Sequence, residues 1–171
     1  MNYMAVFSPT GSTKKVMEQL TGVWDQEICE IDLTDYQNAE KEYEFQQEDL
    51  VYIGVPSYGG RVPETATERI SRMKGNGALA VVVVSFGNRA YEDTLLELKQ
   101  TAKKQGFHVV GGAAAVTEHN IMHQFGTGRP DEADQQELQE FAGKLKERIL
   151  SGDGLKESDL KLPGNTPYKE Y

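Results

Sequence analysis

The segment Ser8-Pro9-Thr10-Gly11-Ser12-Thr13 gathers hydroxyl side chains around one glycine, directly ahead of a helical pattern through Val16, Met17 and Leu20. That arrangement suits an anion. The first turn of a helix has backbone N–H groups with no intrahelical acceptor, and the helix dipole adds partial positive charge there. Gly11 allows the backbone to approach a ligand closely, and the hydroxyls of Ser8, Thr10, Ser12 and Thr13 add hydrogen-bonding groups. A phosphate can be held this way without a buried cation. Neither G-x-x-x-x-G-K-[ST] nor G-x-G-x-x-G occurs in this segment, so nucleotide hydrolysis and dinucleotide binding by those motifs lose support. The plainer alternative is that these hydroxyls only cap the helix.

Two further segments carry chemistry of a different kind. Pro56-Ser57-Tyr58-Gly59-Gly60-Arg61, followed by Val62-Pro63, combines an aromatic ring, a glycine pair and a cation. This mixture suits a planar, redox-active ring: Tyr58 can flank it, and Gly59 or Gly60 can turn a peptide group because glycine tolerates φ > 0. A plain turn with an exposed tyrosine is the alternative. In Ser85-Phe86-Gly87-Asn88-Arg89-Ala90-Tyr91-Glu92-Asp93, amides around Gly87 to Arg89 can bond a pyrimidine edge and Tyr91 can stack on it. Asn88 can equally be a helix N-cap, with Glu92 and Asp93 in the first turn. Arg61 and Arg89 are the cations of these segments, suited to negative charge on a reduced ring or to surface ion pairs.

Such segments need a scaffold that brings them to one edge. The apolar run Tyr3–Phe7 reads as a strand leading into the hydroxyl loop and its helix. A second strand is predicted over Trp24–Leu33, a third over Leu50–Val55, and a helix over Pro63–Met73 with proline in its first turn. Leu79–Phe86 is continuously apolar and rich in valine, as expected of a central strand covered on both faces. A helix over Ala90–Gln105, a strand over Phe107–Val116 and an amphipathic helix over Glu132–Leu150 complete the pattern. Alternation of this kind implies right-handed parallel crossovers and a three-layer α/β/α sandwich around a five-stranded parallel sheet. Ligands of such sheets bind beyond the carboxyl ends of the strands, where the three segments fall. Residues 1–151 are expected to form one domain, and residues 152–171 an irregular tail.

Composition narrows the function. A chain of 171 residues can bury one sizeable core, and its net charge of −9 argues against nucleic acid, which needs a cationic face. Basic protein partners suit it better, although acidity also serves solubility alone. The N-terminus has no secretory pattern and no apolar stretch reaches the roughly 18 residues of a membrane span, so a cytoplasmic protein with no membrane contact is expected. The solitary Cys29 can form no internal disulfide and hold no metal cluster by itself, and it is expected to be a small buried side chain. Redox chemistry must then come from an organic cofactor or another chain. Lys14 and Lys15 are expected to be solvated, and Trp24 structural. His119 and His123 would share a face if their segment were helical, but no third ligand accompanies them and no metal site is expected.

These residues resemble the flavodoxin family. Its phosphate loop, [ST]-x-T-G-x-T, is matched by Ser8, Thr10, Gly11 and Thr13; Tyr58-Gly59 looks like its first flavin loop and Gly87 with Tyr91 like its second, with Asn88 replacing the usual aspartate. More narrowly, Val55 to Pro63, Gly87-Asn88-Arg89-Ala90-Tyr91 and Glu118-His119-Asn120 resemble the flavodoxin half of anaerobe proteins that fuse this domain to a two-cluster ferredoxin. The likeness covers Asn2 to Leu150. The cluster cysteines are missing from this sequence, so a stand-alone flavin half without an internal relay is expected.

The resemblance implies strand order 2-1-3-4-5 and non-covalent FMN. Its phosphate would lie at Ser8, Pro9, Thr10, Gly11, Ser12 and Thr13. Its ring would lie among Pro56, Ser57, Tyr58, Gly59, Gly60, Arg61, Phe86, Gly87, Asn88, Arg89, Tyr91, Asp93 and His119. The acidic chain should disfavour negative charge on a reduced ring. The uncut fifth strand points to the shorter flavodoxin form. Expected partners are redox proteins, a ferredoxin or an oxidoreductase, and the chain a monomer or homodimer. Two functions follow: an electron carrier, or an NAD(P)H-dependent FMN or quinone reductase on the same fold. A phospho-acceptor receiver would need acidic residues after the first strand and an aspartate ending the third, where Ser8 and Pro56-Ser57 stand.

Overall fold

The computed structural model describes residues 1–58, 60–86, 93–116, 121–126, 129–133 and 135–152. In chain order the elements are β1 (Asn2–Val6), α1 (Ser12–Thr21), β2 (Ile28–Asp32), a 3-10 turn (Tyr36–Asn38), β3 (Tyr43–Glu44), β4 (Leu50–Pro56), α2 (Glu64–Ile70), β5 (Met73–Lys74), β6 (Leu79–Phe86), α3 (Thr94–Lys104), β7 (His108–Val116), β8 (Ile121–Gly126), β9 (Arg129–Ala133) and α4 (Gln135–Ser151). The main sheet has the order β2-β1-β4-β6-β7-β8-β9. Its first five strands are parallel, as the sequence predicts, in the 2-1-3-4-5 order of the resemblance.

β6 sits at the centre because its valines can be buried on both sides. Val82 and Val84 join the layer carrying Ile70 of α2 and Leu95 and Leu98 of α3. Val81 and Val83 join the opposite layer, with Met17 of α1 and Leu145 of α4. Alternating side chains of one strand thus feed two cores. The match in register runs across the sheet: Val6 lies beside Gly54, Gly54 beside Val83 and Val83 beside Ala113. Consequently β1, β4, β6 and β7 end at nearly one level, and the loops that follow them share an edge. Gly54 lets α1 press close, since a Cβ there would lie 2.6 Å from Met17 Sδ.

The structure corrects several boundaries. β2 begins at Ile28, because the polar residues 25–27 give no alternation to bury, and Trp24 instead packs beneath the sheet with its indole donating to Tyr52 Oη at 2.9 Å. Pro63 is the N-cap of α2, and Met73–Lys74 leaves the helix to pair with Tyr43–Glu44 as a separate small sheet. The largest difference follows β7, which is uncut as expected. Ile121–Gly126 returns antiparallel beside it and pairs in turn with Arg129–Ala133, so α4 starts at Gln135 and not at Glu132. The second strand of this hairpin, Arg-Pro-Asp-Glu-Ala, lacks strand formers and carries a proline tolerated at a sheet edge, which is why no local pattern reveals it. His123 lies in β8, so it shares no helical face with His119. Cys29, on edge strand β2, is half-buried, its Sγ 3.5 Å from Met1 Sδ. Of the expected tail, residues 153–171 lie outside the described residues.

Among the described residues no helix is long and apolar enough to cross a membrane. Nor does any group of three or more His, Cys, Asp or Glu side chains form a candidate metal site among them.

Burial pushes the Tyr52 phenol up to about 12 from an ordinary 10.0, with the Trp24 hydrogen bond opposing only part of that rise. A raised folded-state value means stability that is intact below pH 10.0 and lost as pH climbs toward about 12. In urea unfolding across this window, the wild type should lose about 2 kcal/mol more than Tyr52→Phe. Parallel pH dependences in the two proteins would contradict the burial argument.

Candidate functional site

At the shared edge, the chain leaves β1 through Phe7 and turns at Gly11, whose φ of 87° and ψ of −10° place it in the left-handed region favouring glycine. Its amide donates to the Ser8 carbonyl at 3.3 Å. Ser8 Oγ accepts from the Lys14 amide at 3.1 Å, and the Ser8 amide donates to Thr34 Oγ1 at 2.7 Å, tying the loop to the segment after β2. One hydroxyl therefore caps α1, as the plainer reading required. The capping is partial: the Ser12 and Thr13 amides donate to no acceptor among the described residues. Open space surrounds Gly11, where an added Cβ would meet nothing within 4 Å. Thr10 Oγ1 lies 3.4 Å from Ser12 Oγ, and Pro9 and Thr10 are exposed.

Thr13 uses its hydroxyl otherwise. It is buried, 2.6 Å from Ser85 Oγ at the end of β6, so its backbone amide is the group it can offer a ligand. Lys14 reaches toward β2, where its ammonium meets Glu30 Oε1 at 3.1 Å; this hydrogen bond raises the lysine's pKa. Anion affinity at this turn accordingly rests on amides, hydroxyls and the helix dipole.

The second loop leaves β4 at Pro56. The Ser57 amide donates to the Ser85 carbonyl at 2.9 Å, and its hydroxyl lies 2.7 Å from Thr94 Oγ1 at the start of α3. Tyr58 and Arg61 then exchange backbone hydrogen bonds of 2.9 and 3.0 Å, closing a tight turn with Gly60 at φ 80°. Tyr58 is 45% exposed and lies outside both hydrophobic cores. Arg61 lies against Glu97 of α3: Nε donates to Oε1 at 2.7 Å and Nη2 to Oε2 at 2.9 Å. The Val62 amide also donates to Glu97 Oε1, at 2.9 Å. The Arg61 charge is thus met by a carboxylate.

The third loop follows Phe86, which is half-buried at the end of β6. α3 begins at Thr94 with buried Asp93 as its N-cap, later than the expected Ala90. The Asp93 carbonyl accepts from the Glu97 amide at 2.9 Å. Gly59, Gly87, Asn88, Arg89, Tyr91 and His119 lie outside the described residues, as do Glu118 and Asn120. β7 ends at Val116 and β8 begins at Ile121, paired with it, at this same edge.

The structure therefore brings Ser8 to Thr13, Pro56 to Arg61 except Gly59, Phe86 and Asp93 to one edge. It adds Thr34, Ser85, Thr94 and Glu97 as supports that sequence reasoning did not single out. Ser85 carried one signal, a hydroxyl ending an apolar strand. Thr94 and Glu97 carried none, because polar residues near a helix start are usually solvated. An amide-lined helix start and an exposed aromatic on one sheet edge fit a ligand with a phosphate at one end and a planar ring at the other.

The sequence matches the family described as Flavodoxin domain over residues 3–148. A comparison with curated proteins gives no match. Among solved structures, oxidised flavodoxin 1 from Bacillus cereus is similar at 18% identity and a TM-score of 0.55, covering 85% of this chain and 97% of that one. Fusobacterium nucleatum flavodoxin bound to flavin mononucleotide has 12% identity and a TM-score of 0.52, with coverage of 88% and 96%. An NADH:FMN oxidoreductase in its apo form has 13% identity and a TM-score of 0.56, with coverage of 88% and 89%. At these identities the likeness concerns the fold.

Ser85→Ala should leave the buried Thr13 hydroxyl without its partner and destabilise the protein by about 1–3 kcal/mol in urea unfolding. Adding Thr13→Val should recover part of that loss, because both polar groups are then gone. A neutral single substitution would show that the contact holds nothing.

Proposed function

This chain is a member of the flavodoxin domain family, and on that premise we propose that it binds FMN non-covalently and passes electrons between redox proteins. The observation that carries the reading is the first turn of α1. Its Ser12 and Thr13 amides have no acceptor among the described residues beside a left-handed Gly11, and Tyr58 stands exposed on the same sheet edge. Residues 8–13 would hold the phosphate, and residues 56–61 and 86–93 with His119 would surround the ring. Bound flavin supplies the capacity to take up one or two electrons. The protein's part is to hold the phosphate with neutral donors, flank the ring with Tyr58 and shape the turn beside it through Gly59 and Gly60. Glycine at φ 80° lets that turn change its peptide orientation at low cost.

Charge supports a carrier. Of 27 acidic residues, ten fall between positions 25 and 49 with Lys41 as the single cation there, a segment that includes edge strand β2. Such a field steers a basic partner face into encounter. The loop wording, which most resembles the flavin half of flavodoxin–ferredoxin fusions, makes a ferredoxin or an oxidoreductase the partner class to test first. The same fold in an NADH:FMN oxidoreductase keeps a second reading in view, that of an NAD(P)H-dependent FMN or quinone reductase.

The test is a visible spectrum of the purified protein, release and identification of its chromophore, and reductive titration with dithionite. The carrier reading predicts released FMN, reduction in two resolved one-electron steps, and negligible oxidation of NADH or NADPH with a quinone acceptor. Single-step two-electron bleaching with nicotinamide turnover would favour the reductase. A colourless protein that takes up no added FMN would overturn both.

A further inference from the structure

Both limbs of the Tyr58–Arg61 turn are fastened to the N-terminal end of α3. Thr94 receives Ser57 on the ascending limb, and Glu97, one helical turn later, receives Arg61 and Val62 on the descending limb. We propose that Glu97 is a positioning residue for this loop, fixing its descending limb for the flavin ring and offsetting the Arg61 charge beside it. The proposal rests on the FMN reading above.

Glu97 is 7% exposed, and a carboxylate so buried is costly unless charge and hydrogen bonds compensate it. Its compensation comes from the loop. Oε2 takes Arg61 Nη2, while Oε1 takes both Arg61 Nε and the Val62 amide, so one carboxylate fixes a side chain and the next backbone unit together. Since α3 packs into the core through Leu95 and Leu98, the fastening is rigid. Between the two fastened limbs the turn carries Gly60 at φ 80°. The charge consequence follows from the same contact. A guanidinium beside the ring would favour electrons arriving on it, and the paired carboxylate offsets that attraction. Glu97 then keeps the second electron harder to add.

Glu97→Ala and Glu97→Gln in the full chain separate the two effects. FMN affinity is read from quenching of flavin fluorescence by the apo protein, the second midpoint potential from reductive titration, and folding from urea unfolding. Glu97→Ala should bind FMN about tenfold or more weakly, the loss expected when charge-assisted hydrogen bonds are removed. Glu97→Gln keeps an acceptor for the Val62 amide, so its affinity should stay within about threefold of wild type. Its second midpoint should nonetheless rise, giving more fully reduced protein at the same dithionite addition, a change that loosened packing alone would not produce. If Glu97→Ala fails to fold, the glutamine variant still decides through its potential. An unmoved second midpoint in Glu97→Gln, or wild-type affinity in folded Glu97→Ala, overturns the proposal alone. Wild-type protein that takes up no FMN overturns the functional reading and this inference with it.

Discussion

The buried contact between Thr13 and Ser85 joins the first turn of α1 to the end of the central strand, and the geometry of the functional edge depends on it. A helix start can serve as an anion site only if its amides face outward and stay in place. Gly11 supplies the left-handed turn that begins the helix, Ser8 caps one amide, and the Thr13 hydroxyl pins the turn inward, leaving the amides of Ser12 and Thr13 for a ligand. Farther along the helix, buried Met17 packs over Gly54 of β4, where no side chain holds the two apart. The polar pin and the apolar contact orient the same helix.

From Ser85 the polar connections continue. Its carbonyl takes the Ser57 amide, the Ser57 hydroxyl meets Thr94, and the next turn of α3 presents Glu97 to Arg61 and Val62. Groups that would cost free energy if buried alone are satisfied by one another, and their geometry is specified in doing so. The turn before α1 and the Tyr58–Arg61 turn are therefore parts of one hydrogen-bonded assembly. A displacement of β6 or α3 would be felt by both.

Much of this was legible in the sequence. The valine run of β6, the apolar run of β1 and the intervening helical periods specify a parallel α/β sheet, because burial on both faces leaves a continuous apolar signature. The hydroxyl loop and the Tyr-Gly-Gly-Arg turn were legible because their residue types are needed locally. The ties between them were not, since Thr13 and Ser85 stand 72 residues apart and Glu97 lies 36 residues beyond Arg61. A contact of that separation leaves no periodicity. The β8–β9 hairpin escaped for a related reason: its second strand is defined by pairing with its neighbour, while its proline and acidic residues argue locally against a strand. Arg61 was read as a candidate for ring charge, and only the fold reveals the carboxylate facing it.

The central claim is spatial, that one ligand spans the α1 turn and the Tyr58–Arg61 turn. Titrating isotope-labelled apo protein with FMN and following backbone amide resonances tests it most directly. The account predicts the largest changes at Ser12 and Thr13 together with Gly60, Arg61 and Val62, all saturating at one stoichiometry. Changes confined to one of the two turns, or centred on another part of the sheet, would contradict it.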